Sequence, residues 1–185
     1  MILSNDLRPG NKIELDGAPY LVMEYQHHKP GKGGAMVRTK LRNLRTGALI
    51  DRTFRPDEKL SPASLEQRRA QFLYRQGDDY IFMDVKTYEQ FGVTETQLGK
   101  AGAYLKEEME VMILFYHEEV IGVDLPIAVE LTVLETEPGV RGDTVSGGSK
   151  PAKLETGAVI QVPLFIEVGT RIRVDTRTAT YIGRA

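Results

Sequence analysis

The chain has 185 residues, with 24 Lys+Arg against 26 Asp+Glu, a formal charge of −2 and no cysteine. The absence of cysteine excludes disulfides, thiolate metal sites and cysteine nucleophiles, and three histidines, two of them adjacent at His27 and His28, argue against a zinc site. The longest apolar run, 111–116, is far too short to span a membrane, and residues 1–10 lack the apolar core of a signal peptide, so a cytoplasmic protein with no membrane partner is expected.

Along the chain, strand signals dominate. Segments 13–15, 20–25, 36–44 and 48–54 are rich in β-formers and are separated by turn signals such as Asp16-Gly17 and Thr46-Gly47. Segments 72–74, 80–85 and 111–116 follow in the same style, then 129–134, 159–165, 171–174 and 180–182. Short helices are expected only around 85–91 and 95–99. Two seams stand out, the polar, proline-bounded stretch 56–62 and Leu125-Pro126. They divide the chain into 1–63, 64–127 and 128–185, pieces of the size of a small five-strand barrel. Charge is segregated in the same way. The first piece holds 11 Lys+Arg against 7 Asp+Glu, the second 6 against 12, and the third 7 against 7. A basic first third suits phosphate contact and an acidic middle does not.

Three motifs stand out. The first is Lys29-Pro30-Gly31-Lys32-Gly33-Gly34-Ala35, which lies between two strands and reads as a hairpin tip. Pro30 fixes φ and the glycines admit positive φ, which leaves a long cationic side chain on a narrow tip. A P-loop would need Lys followed by Ser or Thr and then a helix, and here a strand follows. The second is 36–44, where period two puts Arg38, Lys40 and Arg42 on one face and Val37, Thr39 and Leu41 on the other. Three like charges on a strand face suit a phosphate backbone, which positions without reading sequence. A solvated barrel face is the plain alternative. The third, Gly139 to Pro151, is glycine- and serine-rich and contains Arg141, Gly142, Asp143 and Thr144. It reads as a linker or as a loop that approaches nucleic acid closely.

No catalytic constellation appears. His27 and His28 lack a nucleophile elbow or a metal-binding helix around them, and the pairs Glu107-Glu108 and Glu118-Glu119 read as solvated surface. The aromatics Phe72, Tyr74, Tyr80 and Phe82 could stack bases but read better as core. No cofactor is expected. A general single-strand nucleic-acid binder would show an aromatic ladder on its basic strand, and there is none.

The tip Lys29 to Ala35 with Val37-Arg38-Thr39-Lys40-Leu41-Arg42-Asn43 and the Arg45-Thr46-Gly47 turn resembles the first domain of elongation factor P. Tyr80-Ile81-Phe82-Met83-Asp84 with Tyr88-Glu89-Gln90 resembles its second domain. Val140 to Ala152, Gly157, Val162-Pro163, Gly169 and the ending Val174-Asp175-Thr176-Arg177-Thr178 resemble its third. The resemblance implies an all-β protein of three small barrels, an N-terminal SH3-like (KOW-type) domain followed by two OB-fold domains, arranged as an L. It implies a non-enzymatic factor of the 70S ribosome that binds rRNA and ribosomal proteins between the P and E sites. In that setting Lys32 points along P-site tRNA toward the peptidyl-transferase centre. The loop with Arg141, Gly142, Asp143 and Thr144 approaches mRNA at the E-site codon. The tip lysine in such proteins is often extended by β-lysine or an aminopentanol group, which implies a modifying enzyme as a further partner. The initiation-factor relative that carries hypusine has two domains, and a third domain here counts against it.

Overall fold

The computed structural model of the protein describes residues 1–29, 31, 34–139 and 148–185. Among these residues the strands form three sheets. The first contains β1 (Ile2–Leu3), β2 (Lys12–Leu15), β3 (Ala18–His28), β4 (Met36–Asn43), β5 (Leu49–Phe54) and β6 (Lys59–Pro62), in the order β1-β6-β2-β3-β4-β5. The Asp16-Gly17 turn between β2 and β3 has φ of +50° and +75°, the pair of left-handed residues that a two-residue hairpin needs. Alternation then seals one side of the sheet around Leu7, Ile13, Val22, Val37, Leu41, Phe54 and Leu60, all buried.

The second sheet holds β7 (Leu65–Gln76), β8 (Asp79–Asp84), β9 (Gln90–Thr94), β10 (Glu110–Tyr116) and β11 (Glu119–Asp124). The third holds β12 (Ala128–Thr136), β13 (Ser149–Leu154), β14 (Val159–Pro163), β15 (Arg171–Asp175) and β16 (Thr180–Arg184). Their orders are β11-β10-β7-β8-β9 and β14-β13-β12-β15-β16. Counted from the first strand of each, both read third, second, first, fourth, fifth, the arrangement of a five-stranded Greek-key barrel of the OB type. The third sheet surrounds Leu131, Val133, Leu154, Ile166, Ile172 and Val174, and Tyr104 packs on the same cluster.

Two compact units result. One is Met1–Gln67 with Leu114–Gly122, and the other is Arg68–Ile113 with Val123–Ala185. The β10–β11 tip thus belongs to the first unit. No described helix is long and apolar enough to cross a membrane.

Several expectations need adjustment. The stretch 56–62 is not all connector, because Lys59–Pro62 is β6, paired to β1 (Ile2↔Leu60) and to β2 (Ile13↔Pro62). Segment 95–99 is helical as expected. The helix Glu95–Leu98 is closed by a reciprocal cap, with Gln97 N–H donating to Thr94 Oγ1 at 3.2 Å and Thr94 N–H to Gln97 Oε1 at 2.9 Å. Segment 85–91 is not helical: residues 85–87 form a turn and Gln90 and Phe91 already belong to β9. The Lys86 and Thr87 amides donate to Asp84 Oδ1 at 2.8 and 3.1 Å, bonds that hold this carboxyl below its ordinary pKa, and Tyr88 has φ +62°. Asp175 closes the β15–β16 turn in a similar way. Arg177 Nη2 donates to its Oδ2 at 3.3 Å and the Arg177 and Thr178 amides donate to its Oδ1, so this carboxyl too lies below its usual value.

Tyr74 departs from the aromatic core. The β7–β8 register shifts between Phe72 and Tyr74, so Phe72 faces Phe82 while Tyr74 falls opposite Ile81. Phe72, Tyr80 and Phe82 remain inside, with Phe72 ring centroids 5.8 and 5.4 Å from the other two, and Tyr74 is 45% exposed. Phe82→Ala is therefore expected to cost about 3–5 kcal/mol. Tyr74→Ala should cost less than about 1 kcal/mol. Urea denaturation of the two variants checks the difference.

Candidate nucleic-acid interface

The longest ribbon of the first sheet is the β3–β4 pair, registered from Tyr20↔Asn43 to His28↔Met36. Its far end leads into the connection that contains Lys29 to Ala35. Lys29, Gly31 and Gly34 are exposed there, while Pro30, Lys32 and Gly33 lie outside the described residues.

Along β4 the alternation is as the period implies. Val37, Thr39 and Leu41 are buried, Arg38 and Arg42 are exposed, and Lys40 is half-exposed. The buried Thr39 hydroxyl is satisfied, since its Oγ1 donates to the Arg52 carbonyl at 2.8 Å. The cross-strand register then distinguishes the three cations. Lys40 lies between Glu24 on β3 and Asp51 on β5, with its Nζ 3.9 Å from Glu24 Oε1. Arg38 lies between Gln26 and Thr53, and Arg42 between Leu21 and Leu49. The stripe is thus two arginines with uncharged cross-strand neighbours on either side of a lysine compensated by carboxylates. At about 3.3 Å per residue the two arginines stand about 13 Å apart. A groove of about 460 Å³ covers the Arg38–Lys40 part of this face, lined by Glu24, Gln26, Arg38, Lys40, Asp51 and Thr53 among others. Two exposed cations spaced along one strand face, Arg38 in the groove and Arg42 beyond it, can engage successive parts of one phosphate backbone.

The glycine-rich connection of the third sheet can be described at its two feet. Arg141, Gly142, Asp143 and Thr144 lie outside the described residues. At one foot, a Cβ on Gly139 would stand 2.6 Å from the Leu164 carbonyl oxygen, so only glycine passes there. At the other, the buried Lys150 reaches back to donate from Nζ to the Glu137 carbonyl at 2.5 Å. The ends of the connection are therefore tied to each other and to the barrel.

His27 and His28 are exposed at the end of β3, opposite Val37 and Met36. Glu119 is engaged in an ion pair with Arg45 at 3.0 Å. No cluster of three or more His, Asp or Glu suited to a metal occurs among the described residues. Sequence reasoning did not find the side chains that meet this Arg45–Glu119 pair, Glu14, Tyr116 and His117. They come from segments about 30 to 100 residues apart, and no local pattern marks them.

Comparison with known proteins matches three family models in order. The "Elongation factor P (EF-P) KOW-like domain" covers residues 3–60, the "Elongation factor P (EF-P) OB domain" 65–123, and "Elongation factor P, C-terminal" 129–184. Proteins named elongation factor P from Synechococcus sp. (strain JA-3-3Ab) and Moorella thermoacetica are 61% and 57% identical, each over 100% of both chains. Among solved structures, a eukaryotic translation initiation factor 5A from Methanococcus jannaschii is similar in fold, with TM-score 0.52 at 23% identity over 66% of this chain and 94% of its own. An initiation factor 5A family protein from Naegleria fowleri gives TM-score 0.53 at 12% identity, over 67% of this chain and 96% of its own.

Proposed function

The chain belongs to the elongation factor P family, whose members are translation factors and not enzymes, and from that premise we propose that it binds the 70S ribosome between the P and E sites and holds P-site peptidyl-tRNA in place for peptide-bond formation. The observation that supports this best is the β3–β4 ribbon, with Arg38 and Arg42 exposed along its outer face and the Lys32 connection at its end. The arginines take phosphate, and Lys32, extended by a modifying enzyme, reaches the end of the tRNA. The loop of Arg141, Gly142, Asp143 and Thr144 meets mRNA at the E-site codon.

The chemistry is that of proximity. Aminolysis needs the amine and the ester held in near-attack geometry. Proline restricts the nascent chain and the incoming nitrogen alike, so consecutive prolines slow the step. A protein that pins the tRNA end lowers the entropic part of the barrier with no bond-making of its own, and each 1.36 kcal/mol is about tenfold in rate. Such a factor acts in the cytoplasm, where ribosomes are.

In reconstituted translation of a reporter with consecutive prolines, the protein should raise full-length yield and leave a proline-free reporter unaffected. Asp143→Ala with Thr144→Ala should reduce that gain several-fold with an unchanged melting temperature. No gain from the wild-type protein would overturn the function, and full gain from the double variant would reduce the loop to a connector.

A further inference from the structure

The first unit includes an element from far along the chain, the tip of the β10–β11 hairpin. Its two-residue turn is unusual, because His117 and Glu118 both have positive φ, +47° and +66°, and neither is glycine. The turn places three side chains against the base of the first barrel. Tyr116 is buried, 1% exposed, with the Arg45 guanidinium 5.8 Å from its ring centroid. Arg45 Nε donates to Glu119 Oε2 at 3.0 Å, and His117 Nε2 stands 3.9 Å from Glu14 Oε2. Burial first, and then the Glu14 carboxylate, push the Tyr116 phenol above its ordinary pKa. It stays an uncharged O–H in the seam, although no described group meets that hydroxyl at full hydrogen-bonding geometry.

The site of attachment matters. Arg45 stands on a stiff turn at the end of β4, where the Arg45 and Thr46 amides donate to Asn43 Oδ1 at 2.8 and 3.1 Å, the Gly47 amide to the Asn43 carbonyl and the Leu44 amide to the Pro19 carbonyl. Glu14 is on β2, paired with Pro19 at the start of β3. The hairpin tip therefore grips the near ends of both ribbon strands, and the Lys32 connection is at their far ends. We propose that the β10–β11 tip is the fulcrum of the β3–β4 ribbon, and that Tyr116, Arg45 and Glu119 are positioning residues for the end that carries Lys32. This rests on the reading of Lys32 as the group that acts on tRNA. At about 3.3 Å per residue, β4 is a lever of about 26 Å, so about 5° of play at the fulcrum moves its far end by about 2 Å. Misplacement of about 1 Å at a reacting centre can cost about 100-fold.

The test uses charge exchange. Arg45→Glu and Glu119→Arg should each lower the saturated rate of consecutive-proline synthesis about tenfold, with circular dichroism and ribosome affinity unchanged. The double exchange should restore most of the rate. Because the chain has no cysteine, spin labels at Gln26→Cys and Gly122→Cys report the play directly. Gln26 is exposed, and a Cβ at Gly122 meets only Leu114 Cβ, at 4.0 Å. The distance distribution should broaden in each single exchange and narrow again in the double one. Wild-type rates in both single variants, or no recovery in the double variant, would overturn the fulcrum while leaving the function intact. Full activity of Lys32→Ala would instead overturn the reading beneath it.

Discussion

Lys32→Ala should abolish the acceleration of consecutive-proline synthesis while ribosome binding persists and the melting temperature stays within about a degree of wild type. The described neighbours Lys29, Gly31 and Gly34 are exposed, and an exposed substitution usually changes stability by no more than about 0.5 kcal/mol. On the proposed function the loss should be near total, because this side chain would be the one that contacts the tRNA end. Lys32→Arg separates charge from modification. It keeps the cation and most of the reach but cannot be acylated by a lysine-modifying enzyme. Activity equal to wild type in the native host would show that charge suffices. Failure like that of alanine would show that the extended chain is what acts. Full activity of Lys32→Ala in a reconstituted assay would remove the tip from the mechanism.

The basic face should be divided in its effects. Arg38→Ala with Arg42→Ala is expected to weaken ribosome binding and to flatten the slope of log K against log salt by about 1.5, since each lost phosphate contact removes about 0.7 to 0.9. Lys40→Ala should flatten it by much less, because Glu24 and Asp51 already flank that ammonium. Sedimentation with ribosomes across a salt series measures both. Equal slopes for all three proteins would mean that the face makes no phosphate contact.

How far the sequence disclosed these features depended on whether their cause was local. Period two along β4 sorted Arg38, Lys40 and Arg42 from Val37, Thr39 and Leu41 because a pleat imposes that alternation whatever the strand pairs with. The Asp16-Gly17 turn was equally local. Partners across strands were not. That Lys40 lies between two carboxylates, and Arg38 and Arg42 do not, follows from register, which no single strand specifies. The strand β6 was hidden because only Leu60 in it turns inward, too little for a pattern. The strand β13 was hidden behind glycine and serine and contains Pro151, which argues against a central strand. Proline is tolerated there because the β12–β13 pairing ends at Thr136↔Ala152, one residue short of it, and Thr136 Oγ1 donates to the Pro151 carbonyl at 3.0 Å instead. Tyr74 was misplaced by a one-residue bulge, which reverses every face beyond it.

The hairpin tip that completes the N-terminal unit also sets a timetable for the chain's own birth. The last contiguous residue of that unit is Gln67, and its final piece ends at Gly122, about 55 residues later. At about 5 to 20 residues per second, a nascent chain waits about 3 to 11 seconds between the two. During that interval Glu14 and Arg45 are already made and the tyrosine that will cover them is not. The first barrel must emerge from the ribosome with that patch still wet, and it acquires its last wall only when most of the middle barrel has been synthesised.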